Sequence, residues 1–347
     1  MIDANTGIFS ALDDHCASRG IALKNAGKPR WIASMPMHRN FMINAVVAEC
    51  LTFTPSRKLA RVDISSKTYL LTIGFEQAGT SLSAVEMEIT PAFLTVALSD
   101  LTPRPKATPS EIRDIVEWSD KKADSAYTGH DHDAIASLYP TLRIFDISGT
   151  STEETWNVFF QSCIDECEIG ASWIEGNLAA TLRTLCDLES TRIPYRVLCR
   201  SVFDGDKSSF FLAQYRCLEA LYAYSSAHSL GKHLSIKSSW GEIATALEDK
   251  LGWHPREEGS LERILRFSSP SDLREVLNAL EKPIPSDDET LVRHSAKAIY
   301  WLRNSFVHYR PAQQLVDVES FAWATLSTAM TGIVLDVYEA VFSGQTA

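Results

Sequence analysis

Ile299-Tyr300-Trp301-Leu302-Arg303-Asn304-Ser305-Phe306-Val307-His308-Tyr309-Arg310-Pro311 closes a long helical stretch that opens near residue 287. Arg303 and His308 stand in an Arg-x-x-x-x-His arrangement, Asn304 follows the arginine directly, and Pro311 marks the helix end. On a helix Asn304 and His308 are one turn apart and share a face. Lys297 and Trp301 fall on the same broad face. Arg303 sits about 140° round from His308 at ~100° per residue, so its long side chain must curl to meet the imidazole.

The sequence around this stretch carries the same helical period. Residues 210–224 hold an apolar stripe, and residues 239–251, 260–267, 271–280 and 317–342 also read as helices. Pro283 and Pro285 separate two of them, and no strand pattern interrupts. Residues 206–347 are therefore expected to form an all-α helical bundle of about five or six helices.

Upstream, the pattern changes. Residues 45–54, 60–77 and 81–98 are rich in apolar and β-branched residues, and Val85-Glu-Met-Glu-Ile-Thr alternates with period two. Gly79-Thr-Ser reads as a turn, residues 101–109 as a loop, and Pro109 as the start of a helix. A strand over 142–147, helices near 153–166 and 172–188, and a further strand over 195–203 complete the reading. The fold class is α+β: an N-terminal β-rich α+β domain over 1–205, followed by the helical bundle over 206–347. A chain of 347 residues with 45% hydrophobic content is long enough for two cores.

Charge and composition narrow the function classes. The net charge of -11 argues against a protein that coats nucleic acid non-specifically, and leaves room for a local basic site. The most apolar stretch, near 327–342, is interrupted by Thr331, Gly332, Asp336 and Glu339, which argues against a membrane span. The N-terminus lacks a basic segment leading into an apolar run, so no secretory signal is expected and the localisation expected is cytoplasmic. Seven cysteines among apolar neighbours read as reduced core thiols. Cys163 and Cys167 are one turn apart but lack a second ligand pair. Gly129-His130-Asp131-His132-Asp133 offers four ligand types, yet residues two apart in a polar loop converge poorly, so solvated loop is the preferred reading. Arg192, Arg196 and Arg200 recur at helical spacing, with Pro194 and β-branched neighbours favouring a strand. No metal or other cofactor is expected, and no phosphate-binding glycine loop is present.

The Arg303-Asn304-x-x-x-His308 string resembles the HEPN motif, which lies near the end of a long helix, and Tyr215-Arg-Cys-Leu-Glu219-Ala-Leu resembles the first helix of several HEPN-like domains. The resemblance covers roughly residues 208–342 and says nothing about the N-terminal half. It implies a metal-independent endoribonuclease acting on RNA as a homodimer through the helical domain, with two motif helices building one composite site. It further implies a setting in prokaryotic defence or toxin-like systems, with the N-terminal domain sensing a protein or small-molecule trigger, selecting substrate or restraining the nuclease.

The residue types suit that chemistry. RNA supplies its own nucleophile, the 2'-hydroxyl. Histidine titrates near neutrality, so His308 is the candidate general acid/base. Arg303 keeps its charge and offers a planar fork of donors for the phosphate. Asn304 completes the motif, with Glu219, Lys297 and Tyr309 as supporting candidates; Glu219 is a candidate polar partner orienting Arg303 or Asn304. Two other readings stand beside this one. His308 caps a helix and Arg303 is an ordinary ion-pair partner, which makes the domain an inactive HEPN-like dimerisation or ligand-binding module; or the domain binds nucleotides without cleavage.

Overall fold

A computed structural model describes residues 2–82, 84–117, 127–188, 193–307 and 320–343. The chain forms two compact units, Met1–Glu166 and Cys167–Ala347.

In the first unit, five strands form one antiparallel sheet: β1 (Ala45–Thr54), β2 (Arg57–Ile64), β3 (Lys67–Ile73), β4 (Val85–Met87) and β5 (Leu142–Asp146). Their spatial order is β1-β2-β3-β5-β4. The stretch 60–77, which reads as one apolar run, turns back on itself at Ser65, whose φ of 56° lets Ile64 pair with Lys67 across the β2–β3 hairpin. β5 arrives late and inserts between β3 and β4.

β2 and β3 are buried along most of their length because both sheet faces are covered. On one face Val62, Ile64, Leu71 and Ile73 join a core with Phe9 and Leu12 of α1 (Ile2–Ala17), Leu94 of α3 (Pro91–Asp100) and Ile112 of α4 (Pro109–Val116). α2 (Pro36–Asn44) packs on α3, and Ile135 of α5 (His132–Ser137) enters the same core. On the other face the Arg61 guanidinium donates from Nη1 to Thr155 Oγ1 at 2.8 Å, on α6 (Thr155–Cys167).

A further segment of the first unit departs from its expected form. Of the strand-like stretch 81–98, only Val85–Met87 pairs in the sheet, and Pro91–Asp100 is helical. Every residue from Ala92 to Leu98 is buried, so the apolar period that marks a helix is erased. Thr90 begins that helix by accepting from Phe93 N, with Pro91 in the first turn.

The loop after β3 is fixed by two carboxylates at the end of α6. Glu166 Oε1 accepts from the amides of Gln77 and Ala78, the latter at 3.0 Å. Asp165 Oδ2 accepts from Gly79 N at 3.0 Å and Ser81 N at 3.3 Å. Both acids are 1% exposed. Gly79, with φ +89°, is required here, because a Cβ would lie 2.5 Å from the Phe145 ring.

Among its described residues the second unit forms helices and no strand: α7 (Gly176–Cys186), α8 (Tyr195–Ser201), α9 (Lys207–Glu219), α10 (Tyr224–Leu234), α11 (Trp240–Leu251), α12 (Glu257–Leu265), α13 (Pro270–Ala279), α14 (Asp288–Val307) and α15 (Trp323–Ser343). Residues 195–203, expected as a strand, are the helix α8: Tyr195, Leu198, Cys199 and Val202 are buried at helical spacing. Pro194 precedes the first turn, where a missing N–H costs nothing. From residue 206 onward the described residues hold seven helices, α9 to α15. The units divide at 166/167, earlier than the expected boundary at 205/206, because α7 packs on α15 and α8 on α9.

α15 is the central helix, packed by α7, α9 and α13. Gln214 of α9 ties it in by donating to Ser327 O at 2.7 Å and Thr331 Oγ1 at 2.8 Å, and Tyr338 returns a bond to Cys217 O at 3.0 Å.

The acid pair of α6 yields a stability prediction. Glu166→Ala leaves the Gln77 and Ala78 amides without their acceptor. It should cost about 2–3 kcal/mol, the scale of a buried charged hydrogen-bond network. Urea unfolding of the full chain with hydrogen exchange at those two amides measures it; an unchanged midpoint with both amides still protected would refute the role.

Candidate functional site

α14 is well specified at its N-terminal end. The Asp287 carboxylate accepts from Thr290 N at 2.8 Å, which holds its pKa below the usual range, and Asp288 and Glu289 place further negative charge in the first turn. Leu291, Ser295, Ile299 and Leu302 form the buried stripe. Ser295 Oγ donates to Leu273 O of α13 at 3.2 Å. This anchoring carries Arg303 and Asn304 to the far end of the helix.

The Arg303 guanidinium is held from three elements. Nη2 donates to Glu219 Oε1 of α9 at 3.3 Å, Nη1 donates to Asn304 Oδ1 at 2.9 Å, and Nη1 lies 3.6 Å from Glu257 Oε2 of α12. Its Cζ sits 5.7 Å from the centroid of the Tyr215 ring. The Tyr215 hydroxyl accepts in turn from Tyr222 Oη at 2.7 Å. Tyr215 and Glu219 share a face of α9 by their four-residue spacing. One cation therefore meets two carboxylates, leaving the cluster one negative charge in excess.

Protonation behaviour follows from this crowding. Burial raises the Glu219 pKa, with Arg303 pulling it back and Glu257 pushing it further up. Burial also lifts the Tyr215 hydroxyl to about 12. For Arg303 burial is the largest influence and works against its charge, yet Glu257 and Glu219 outweigh it and the pKa stands above its usual value. The guanidinium is thus a fixed charge. Among the described residues two of its five donors reach acceptors, one on each terminal nitrogen.

The structure brings together some of the residues singled out from the sequence and separates others. Arg303, Asn304 and Glu219 form one cluster. Lys297 lies elsewhere: Trp301, on the Lys297 side of α14, is about 160° round the helix from Arg303 at ~100° per residue. Lys297 lines a cavity of ≈ 320 Å³ with Lys282, His294 and Trp301. His308 and Tyr309 lie outside the described residues. Glu257 was not foreseen, because in Arg256-Glu257-Glu258 it reads as an ordinary acidic helix start.

The remaining sequence candidates take other roles. His130 is buried, its amide and carbonyl bonded to Trp31 O and Ala33 N at 2.8 Å, and burial lowers its pKa to about 4. Asp131, His132 and Asp133 bring ligand atoms within 4.8 Å of one another. Asp131 is engaged as the cap of α5, accepting from Ala134 N at 3.0 Å. All seven cysteines are thiols; six are buried, Cys163 and Cys167 among them, and Cys50 is exposed. Arg196 and Arg200 lie on α8, and Arg192 falls outside the described residues. Among the described residues no helix is long and apolar enough to cross a membrane.

Comparison with protein-family models, curated proteins and solved structures gives no match.

The cluster at Arg303 makes a paired prediction about stability. Because the folded-state pKa of Glu219 is raised, its contribution to stability is fully present below the ordinary glutamate pKa and is lost as pH rises through the raised value. Glu219→Gln keeps the acceptor for Arg303 and removes that loss, so the melting temperature at pH 7 should hold or rise and its pH dependence should flatten. Arg303→Ala strands both carboxylates and should cost about 1–3 kcal/mol. Thermal melts between pH 4 and pH 8 test both; a destabilised glutamine variant beside an unaffected alanine variant would reverse the assignment.

Proposed function

We propose that the helical unit is a metal-independent endoribonuclease of the HEPN type, working as a homodimer in which the motif helices of two copies build one cleft. The observation that carries this reading is the Arg303–Asn304 pair at the end of α14, with the guanidinium held by Glu219 of α9. A fixed cation with a planar fork of donors suits a phosphate that gains charge during attack.

The chemistry balances without a metal. The 2'-oxygen attacks the adjacent phosphorus, and the bond from phosphorus to the 5'-oxygen breaks. The products are a 2',3'-cyclic phosphate and a 5'-hydroxyl. His308 takes the 2'-hydroxyl proton, and a second imidazole, supplied by the other copy, gives one to the leaving oxygen. Arg303 bears on the charged phosphorane. Glu219 and Glu257 must yield part of their hold as phosphate enters, and this makes the resting site one that favours no RNA indiscriminately.

A second reading draws on the same geometry. A guanidinium bound by two carboxylates is also what a structural ion pair looks like, and under it the unit is an inactive dimerisation or ligand-binding module.

Expression in cells separates the two. Wild type should fragment cellular RNA under induction or phage challenge, and the purified protein should leave cyclic phosphate ends in the presence of a chelator. His308→Ala should reduce cleavage by about 10²–10⁴-fold, the usual worth of a general acid/base. Arg303→Lys should also lose cleavage, since a point charge does not reproduce the planar fork. Intact RNA with wild type under every condition, or undiminished cleavage by His308→Ala, would favour the inactive module.

A further inference from the structure

The face of α14 turned away from Arg303 carries its own constellation. Lys282, His294, Lys297 and Trp301 ring a cavity of ≈ 320 Å³ floored by Leu277 and Ala298. Among the described residues no carboxylate lines it, in a chain whose net charge is -11. Among the described residues neither lysine forms a salt bridge. The Lys282 ammonium instead lies 4.6 Å from the centroid of the Trp301 ring. Trp301, which lines the cavity, is 41% exposed.

Backbone structure sets this arrangement. Past the end of α13, Glu281 adopts φ +53°, and Lys282 N bonds back to Leu277 O at 2.8 Å. That closing turn delivers Lys282 to the cavity rim and fixes it relative to α14. His294, Lys297 and Trp301 follow at spacings of three and four residues, so they stand one above another on the helix. Asn304 continues the row three residues later. The row from His294 to Asn304 spans about 15 Å at the α-helical rise.

We propose that this face binds single-stranded RNA, with one base stacked on Trp301 and the flanking phosphates on Lys282 and Lys297. The choice of RNA as ligand rests on the reading of the chain as an endoribonuclease; the binding chemistry itself rests on the cavity. An aromatic ring beside paired cations is the recurrent platform for unpaired bases, which every nucleotide fits through its π-face. The cavity is near the lower end of the ~300–1,000 Å³ range of ligand sites, which suits one nucleotide rather than a duplex. Lys282 gives up the ring as the base enters and passes to phosphate, exchanging one favourable partner for a stronger one. The row then leads the strand along α14 toward Asn304.

Binding is best read in the full-length His308→Ala protein, so that cleavage does not interfere. Fluorescence anisotropy with a labelled single-stranded RNA of about twelve nucleotides gives affinity and its salt dependence. Added Trp301→Ala should weaken binding at least about fivefold, the lower range of a lost stacking contact. Lys282→Ala with Lys297→Ala should reduce the slope of log K against log salt by about 1.4, at ~0.7 per phosphate contact on a single strand. Both sets of positions are exposed, and matched melting curves establish that the variants fold. If the parent does not bind, or if all variants bind as it does, the inference is overturned. Tighter binding of duplex than of single strand overturns it as well. Trp301-dependent binding with no cleavage by wild type would sink the nuclease reading and leave this surface standing. Cleavage with Trp301-independent binding would do the reverse.

Discussion

The Arg303 guanidinium holds a permanent positive charge where three helices of the second unit converge. Burial works against that charge, and Glu219 from α9 and Glu257 from α12 offset the cost. The consequence reaches beyond one ion pair. Three segments that are far apart in sequence meet at this charge, so the ion pairs add to the apolar stripe in placing the helix end. Any role given to Arg303 has to begin from the fact that it is already engaged.

That engagement and the row at Trp301 divide α14 by function. The side facing Glu219 and Tyr215 is closely held, with Arg303 only 16% exposed in its side chain. The other side is open, cationic and aromatic. A helix buried on one stripe still presents two flanks, and here the flanks differ in charge, exposure and partners. In a chain of net charge -11, such a flank is a local cationic patch set in an acidic mean field.

Much of the second unit was legible because its signals are local. The start of α14 differs by one residue from its expected position, since an aspartate cap and an acidic first turn mark it. Glu219 stood out because it is an acidic residue set among apolar ones, in a string that resembles the first helix of HEPN-like domains. Glu257 did not, because it meets Arg303 through tertiary packing alone and carries no local mark. The misread segments fail for a related reason. α3 is apolar on all sides and so shows no period, while at α8 a proline that opens the helix was taken as a sign against one. The hairpin at Ser65 was missed because two serines between apolar runs are a weaker turn signal than a glycine or asparagine. The division of the chain was misplaced because α7 and α8 follow the sheet in sequence but pack with the bundle.

The closing turn of α6 also decides where the chain can be cut. Glu166 and Asp165 satisfy four amides of the loop 77–81, so an N-terminal fragment ending near residue 150 would leave those groups bare, and proteases would find that loop first. A C-terminal fragment begun at residue 206 would strip α7 from α15 and uncover the apolar flank that Leu178, Leu182 and Leu185 accompany in the intact unit. Such a piece would be sticky and poorly soluble. The two compact units divide just after Glu166, and a boundary drawn where the composition changes would cut α7 and α8 from the bundle they pack with.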